Sequence, residues 1–118
     1  MALSRIVLRL ARNPGTEFAD GDDHRGYTLT APLGEDGRLD AAAAGEGCTF
    51  RRFAPDDDVE EGRLVAQDGG WSFDYGDGDP EPVAHLGEHT FALGDYVSLP
   101  DEEGSRMLAY KVTEVVAV

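Results

Sequence analysis

The stretch that most constrains the fold is residues 62–75, G-R-L-V-A-Q-D-G-G-W-S-F-D-Y. Asp68-Gly69 suits a two-residue type I′ loop, because both central residues of that turn need positive φ and few other pairs tolerate it. The loop sets Ala66 against Trp71, Val65 against Ser72, Leu64 against Phe73, Arg63 against Asp74 and Gly62 against Tyr75. Successive strand side chains point to opposite faces. One face therefore collects Leu64, Ala66, Trp71, Phe73 and Tyr75, while the other carries Arg63 opposite Asp74 as an expected ion pair. A slip of one residue would put the rings and the ion pair on one side, so the register is well specified.

A chain of 118 residues is expected to form a single domain, 1–118. No run of about 20 apolar residues offers a membrane span. Cys48 is the only cysteine, so no intrachain disulfide can form, which fits a reducing cytoplasm or a secreted protein that needs no disulfide. The 24 acids against 10 bases leave a net charge of −14. That balance argues against nucleic-acid binding, which rests on neutralising phosphates. It suits a basic partner, bound cations or plain solubility.

Further along the chain, alternation and turn residues mark more strands. Met1 to Arg12 alternates Ile6, Leu8 and Leu10 with Arg5, Val7 and Arg9, and Asn13-Pro14-Gly15 ends it. Glu17 to Arg25 reads as a polar loop, and Tyr27, Leu29 and Ala31 as a second strand that Pro32 ends. Asp40 is a good N-cap for one short helix over Ala41 to Ala44, with Gly45 or Gly47 as its stop. Cys48 to Phe53 changes apolar phase between Phe50 and Phe53, which a bulge at Arg51-Arg52 would explain. Of those two arginines, one is expected to pair with the acidic segment that follows and the other to lie under an aromatic ring. Ala54 to Glu61 and Gly76 to Pro82 read as acidic loops, and His85 to His89 as a tight turn. Thr90 to Leu93, Tyr96 to Leu99 and Leu108 to Val118 complete the strands, the last two joined by a turn at Asp101 to Gly104. Short strands about ten residues apart with Gly-rich connections indicate a mostly β fold. The expected architecture is a small antiparallel β-barrel or sandwich of seven or eight strands with one short helix.

Few residues carry recognisable chemistry. Asp74, Asp77 and Asp79 in D-Y-G-D-G-D-P-E offer oxygen ligands to Ca²⁺ or Mg²⁺, although the spacing misses that of an EF-hand. Such acid-rich turns are usually solvated loops. His85, Glu88 and His89, with Cys48 at a distance, lack zinc-protease spacing and read as surface histidines. Cys48 precedes Phe50 in an apolar alternation and so reads as a small buried side chain. The serines at 4, 72, 98 and 105 lack a nucleophile-elbow context, and no phosphate-cradling glycine loop opens a helix. The chain is therefore read as a non-enzymatic module without a resident cofactor, binding an unknown protein or small ligand. Trp71, Phe73 and Tyr75 are the candidate partner-binding residues. One alternative is a weak Ca²⁺ or Mg²⁺ module using the Asp74 to Asp79 loop. Another is an acidic decoy that mimics nucleic acid and occupies a nucleic-acid-binding protein.

The segments L-A-R-N-P-G, C-T-F-R-R-F, W-S-F-D-Y and H-T-F-A-L-G-D-Y-V resemble those of a family of short uncharacterised bacterial proteins. The resemblance spans nearly the whole chain and implies a bacterial origin. It implies no activity. That family carries a bulkier, more basic segment where this chain has Ala42 to Gly45.

Overall fold

In the computed structural model, residues 3–43, 47–55, 59–67, 69–76, 78–83, 85–100 and 106–118 are described. The strands are β1 Ser4–Leu10, β2 Asp22–Ala31, β3 Thr49–Phe53, β4 Glu60–Gln67, β5 Gly70–Asp74, β6 Glu81–Val83, β7 Tyr96–Pro100 and β8 Met107–Ala117. All pair antiparallel in one eight-stranded sheet of order β6-β5-β4-β3-β2-β1-β8-β7, which curls into a nearly closed barrel. Its two edges, β6 and β7, are not paired with each other. The 3-10 turn Leu86–Glu88 sits between them, packed beside β5 and β7. Leu86 is buried there, and Gly87 lies so close to the indole that a Cβ would stand 3.1 Å from Trp71 Cδ1. Among the described residues no helix is long and apolar enough to cross a membrane.

The barrel interior is filled by alternate positions, as the period of two requires. Ile6, Leu8 and Leu10 from β1 meet Tyr27, Leu29 and Ala31 from β2, Phe50 from β3, Leu64 from β4, and Trp71 and Phe73 from β5. Val97 and Leu99 from β7 and Leu108, Tyr110 and Val112 from β8 complete the wall. The β4–β5 hairpin has the expected register, from Arg63↔Asp74 to Gln67↔Gly70. Gly69 has φ +80°, the left-handed value a type I′ loop demands, whereas Asp68 lies outside the described residues. Gly62 is required by close approach: a Cβ there would fall 2.2 Å from the Asp74 carbonyl and 2.7 Å from the Phe50 ring.

Several details differ from the sequence reading. The short helix is a single 3-10 turn, Ala41–Ala43, whose Ala42 and Ala43 amides donate to Asp40 Oδ1 at 3.1 and 3.3 Å. No bulge occurs at Arg51-Arg52, since β3 pairs without a shift against both β2 and β4. The phase change has another cause: Phe50 points inward, while Phe53 lies outside under the Arg9 guanidinium, 5.8 Å from the ring centroid. Glu60 and Glu61 belong to β4, and Asp22 to Arg25 to β2. Glu81-Pro82-Val83, read as the end of a loop, forms edge strand β6, where Pro82 is tolerated. Thr90 to Leu93 is irregular, because Phe91 donates its amide to Gly37 O at 2.8 Å instead of joining the sheet.

Along β8, pairing with β1 skips Thr113 between Val7↔Glu114 and Leu8↔Val112. This bulge shifts the inward phase, so that Val115 packs on the core while Val116 and Val118 are exposed. The turn at Asp101 to Gly104 lies outside the described residues, but β7 and β8 pair from Tyr96↔Lys111 to Pro100↔Met107 as a hairpin. Asn13, read only as a turn residue, clamps the end of β1 to β8. Its Nδ2 donates to Ala109 O at 3.2 Å and its Oδ1 accepts the Ala109 amide at 2.8 Å.

Candidate functional site

An antiparallel meander of this order brings the C-terminal end of β3, the start of β4, the end of β5 and the start of β6 to one mouth of the barrel. Arg52, next to last in β3, points inward at this mouth. Its neighbour Arg51 points outward and pairs with Glu61 at 3.6 Å. The Arg52 stem runs along the barrel wall and its guanidinium reaches the rim, leaving the side chain 18% exposed. Arg52 stands 5.9 Å from the Tyr27 ring centroid, and its Nη1 lies 3.9 Å from Glu60 Oε2. It also hydrogen-bonds the Tyr75 side chain. Both arginines therefore pair with an acid of β4, where the sequence reading expected one of them to, and Arg52 in addition lies over an aromatic ring.

Below Arg52 the floor is aromatic. Phe50 stacks on Phe73 at 4.3 Å, Phe73 on Tyr27 at 5.6 Å, and Tyr110 meets Tyr27 edge-on at 5.4 Å. Tyr75 stands edge-on to Phe50 at 5.0 Å and is half-buried. These offset and T-shaped geometries are the ones ring quadrupoles favour.

The tyrosines are held neutral. Burial pushes the Tyr27 hydroxyl well above the ordinary tyrosine range, with Tyr110 adding to it and Arg52 opposing. Burial likewise raises Tyr75, and Glu81 and Glu60 push in the same direction against Arg52. Near neutral pH both phenols remain protonated and serve as hydrogen-bonding groups and apolar platforms. The mouth thus sets one guanidinium beside two carboxylates, Glu60 and Glu81, above a wall of rings.

Of the candidate partner-binding residues, Trp71 and Phe73 are core side chains, 4% and 3% exposed, and present no surface. This corrects their expected role, because the alternation that made them conspicuous also turns them inward. Only Tyr75 reaches the rim. Of the candidate metal ligands, Asp74 accepts the Gly76 amide on Oδ1 at 2.9 Å, Asp79 is exposed, and Asp77 lies outside the described residues. Arg63 and Asp74 are cross-strand neighbours, yet no ion pair joins them. Among the described residues no three His, Cys, Asp or Glu side chains gather as a metal-ligand set. His85 pairs with Glu88 at the 3-10 turn, and Cys48 is a fully buried free thiol. Outside the barrel, a shallow depression of about 430 Å³ lies over Thr28, Thr30 and Thr49, and its charged walls, Arg51 and Glu61, face each other.

Sequence reasoning missed Arg52, Glu81 and Tyr110 as members of one group. The alternation of β3 signals an inward Arg52, but its neighbours come from four other strands. No family model matches the chain, and neither a curated protein nor a solved structure matches it.

Proposed function

We propose that the protein is a non-enzymatic binding module of the bacterial cytoplasm, and that the mouth around Tyr75 binds a basic segment of a partner protein. The observation that carries this reading is Tyr75: a half-buried ring seated on Phe50, flanked by Arg52, Glu60 and Glu81. An incoming Lys or Arg side chain would lie against the Tyr75 face and meet two carboxylates that a single internal guanidinium only partly neutralises. The net charge of −14 would steer such a partner toward the surface. The phenols support binding over catalysis, since groups shifted away from neutrality are poorly placed to exchange protons at physiological pH.

The test is a titration with an octa-arginine peptide, followed by amide chemical shifts in low and moderate salt. The reading expects shifts centred on Glu60, Tyr75 and Glu81 that fade as salt rises. Glu60→Gln with Glu81→Gln should weaken binding about tenfold, roughly 1.4 kcal/mol. Shifts centred on the opposite end of the barrel, around Gly34 to Arg38, would refute it.

A further inference from the structure

The depression on the outside of the barrel, about 430 Å³, lies over β2, β3 and β4. Strand register lays out its surroundings as a grid. Thr30, Thr49 and Arg63 are cross-strand neighbours in one row, and Thr28, Arg51 and Glu61 in the next. All six side chains point outward, because Leu29, Phe50 and Leu64, which alternate with them, fill the core.

The donors of this grid are not used within the chain. Of its six threonines, Thr16, Thr90 and Thr113 donate their hydroxyls to Asn13 O, Asp95 Oδ2 and Val7 O at 2.7, 2.9 and 3.4 Å. The hydroxyls of Thr28, Thr30 and Thr49 have no partner among the described residues, and neither has the Arg63 guanidinium. Arg51 is held by Glu61 at 3.6 Å, between side chains 57% and 67% exposed, a setting in which an ion pair contributes little. The face is also the basic side of an acidic protein. Along β1, β3, β4 and β8 the outward positions carry Arg5, Arg9, Arg51, Arg63 and Lys111, half of the ten basic residues, against Glu61 and Glu114 out of 24 acids.

We infer that this depression binds a phosphate group, free or esterified to a small molecule, with the Thr30 and Thr49 hydroxyls and the Arg51 and Arg63 guanidinium groups as donors. Guanidinium groups donate and cannot accept, and their forks match phosphate oxygens in pairs. Three terminal oxygens engage this many donors more completely than the two of a carboxylate. The net charge of −14 selects a small anion over a nucleic acid. A polyanion would meet carboxylates elsewhere on the chain, whereas a single phosphate is felt mainly within a Debye length of about 8 Å, where the face is basic. The inference goes beyond the mouth reading and uses none of its charged residues.

The test is a titration of the full chain with inorganic phosphate and, separately, with glycerol 2-phosphate, against sodium chloride of equal ionic strength, followed by amide and threonine methyl shifts. Saturable shifts centred on Thr28, Thr30 and Thr49 are expected in the millimolar range; tighter binding of glycerol 2-phosphate identifies an ester as the ligand, and tighter binding of phosphate identifies the free ion. Arg63→Gln should weaken binding about fivefold and Thr49→Val about threefold, with Tm unchanged because both residues are exposed. Glu61→Gln should strengthen binding about threefold, since it releases Arg51 and removes the carboxylate of the grid. A gain of affinity does not arise from misfolding. Shifts spread evenly over the arginines, a response no greater than that to chloride, unaltered binding in Arg63→Gln, or weaker binding in Glu61→Gln would each overturn the assignment. These readouts are separate from the octa-arginine titration, so either reading can fail alone.

Discussion

Phe50 and Phe53 are chemically identical and three residues apart, and the structure assigns them opposite fates. Phe50 is 1% exposed, stacked on Phe73 and met edge-on by Tyr75, whereas Phe53 is partly covered on the outside by Arg9. Phe50→Ala removes a buried ring and two aromatic contacts, and truncations of this kind cost about 3–5 kcal/mol. Phe53→Ala loses partial cover and one exposed cation–π contact, about 1 kcal/mol. At about 2.1 cal/mol/K per residue, 118 residues give an unfolding entropy of about 250 cal/mol/K. A loss of about 4 kcal/mol then lowers Tm by about 16 °C, and a loss of about 1 kcal/mol by about 4 °C. Differential scanning calorimetry of the two variants reads the difference directly. If a bulge at Arg51-Arg52 turned both rings inward, the two variants would melt together at low temperature. That equality would refute the register derived for β3.

Two further outcomes follow from the mouth. The folded-state pKa values of Tyr27 and Tyr75 are raised, so both side chains contribute stability that is complete below the unfolded tyrosine value of about 10 and is lost as pH rises beyond it. Urea midpoints should therefore fall between pH 9 and pH 11, and Tyr27→Phe should flatten that fall; an unchanged slope in the variant would contradict the burial argument. Millimolar Ca²⁺ should leave Tm unmoved if the acidic loop of Asp74 and Asp79 is solvated, whereas a specific site at 100 times its dissociation constant would add about 2.7 kcal/mol, or about 11 °C for a chain of 118 residues.

Much of the fold is legible in local chemistry. The β4–β5 register follows from one Asp-Gly turn and the alternation on either side of it, because period-two patterning and turn geometry are both encoded within about a dozen residues. The inward sets of β1, β2, β7 and the first half of β8 are legible for the same reason, and Cys48 is recognisable as a buried thiol from its place beside Phe50. Where those rules fail, the cause is a contact made far away in sequence. Val116 and Val118 lose their inward phase because β8 carries one extra residue opposite Val7 and Leu8, which is a property of the β1–β8 pairing. Thr90 to Leu93 stays irregular because Phe91 bonds Gly37. Phe53 follows the alternation outward, and the group that covers it there, Arg9, comes from β1. The mouth belongs wholly to this second category. Tyr27, Arg52, Glu60, Tyr75, Glu81 and Tyr110 are spread over 84 residues of chain. Only closure of the sheet places a guanidinium, three phenols and two carboxylates together, so their shared electrostatics arise from the tertiary structure rather than from any motif.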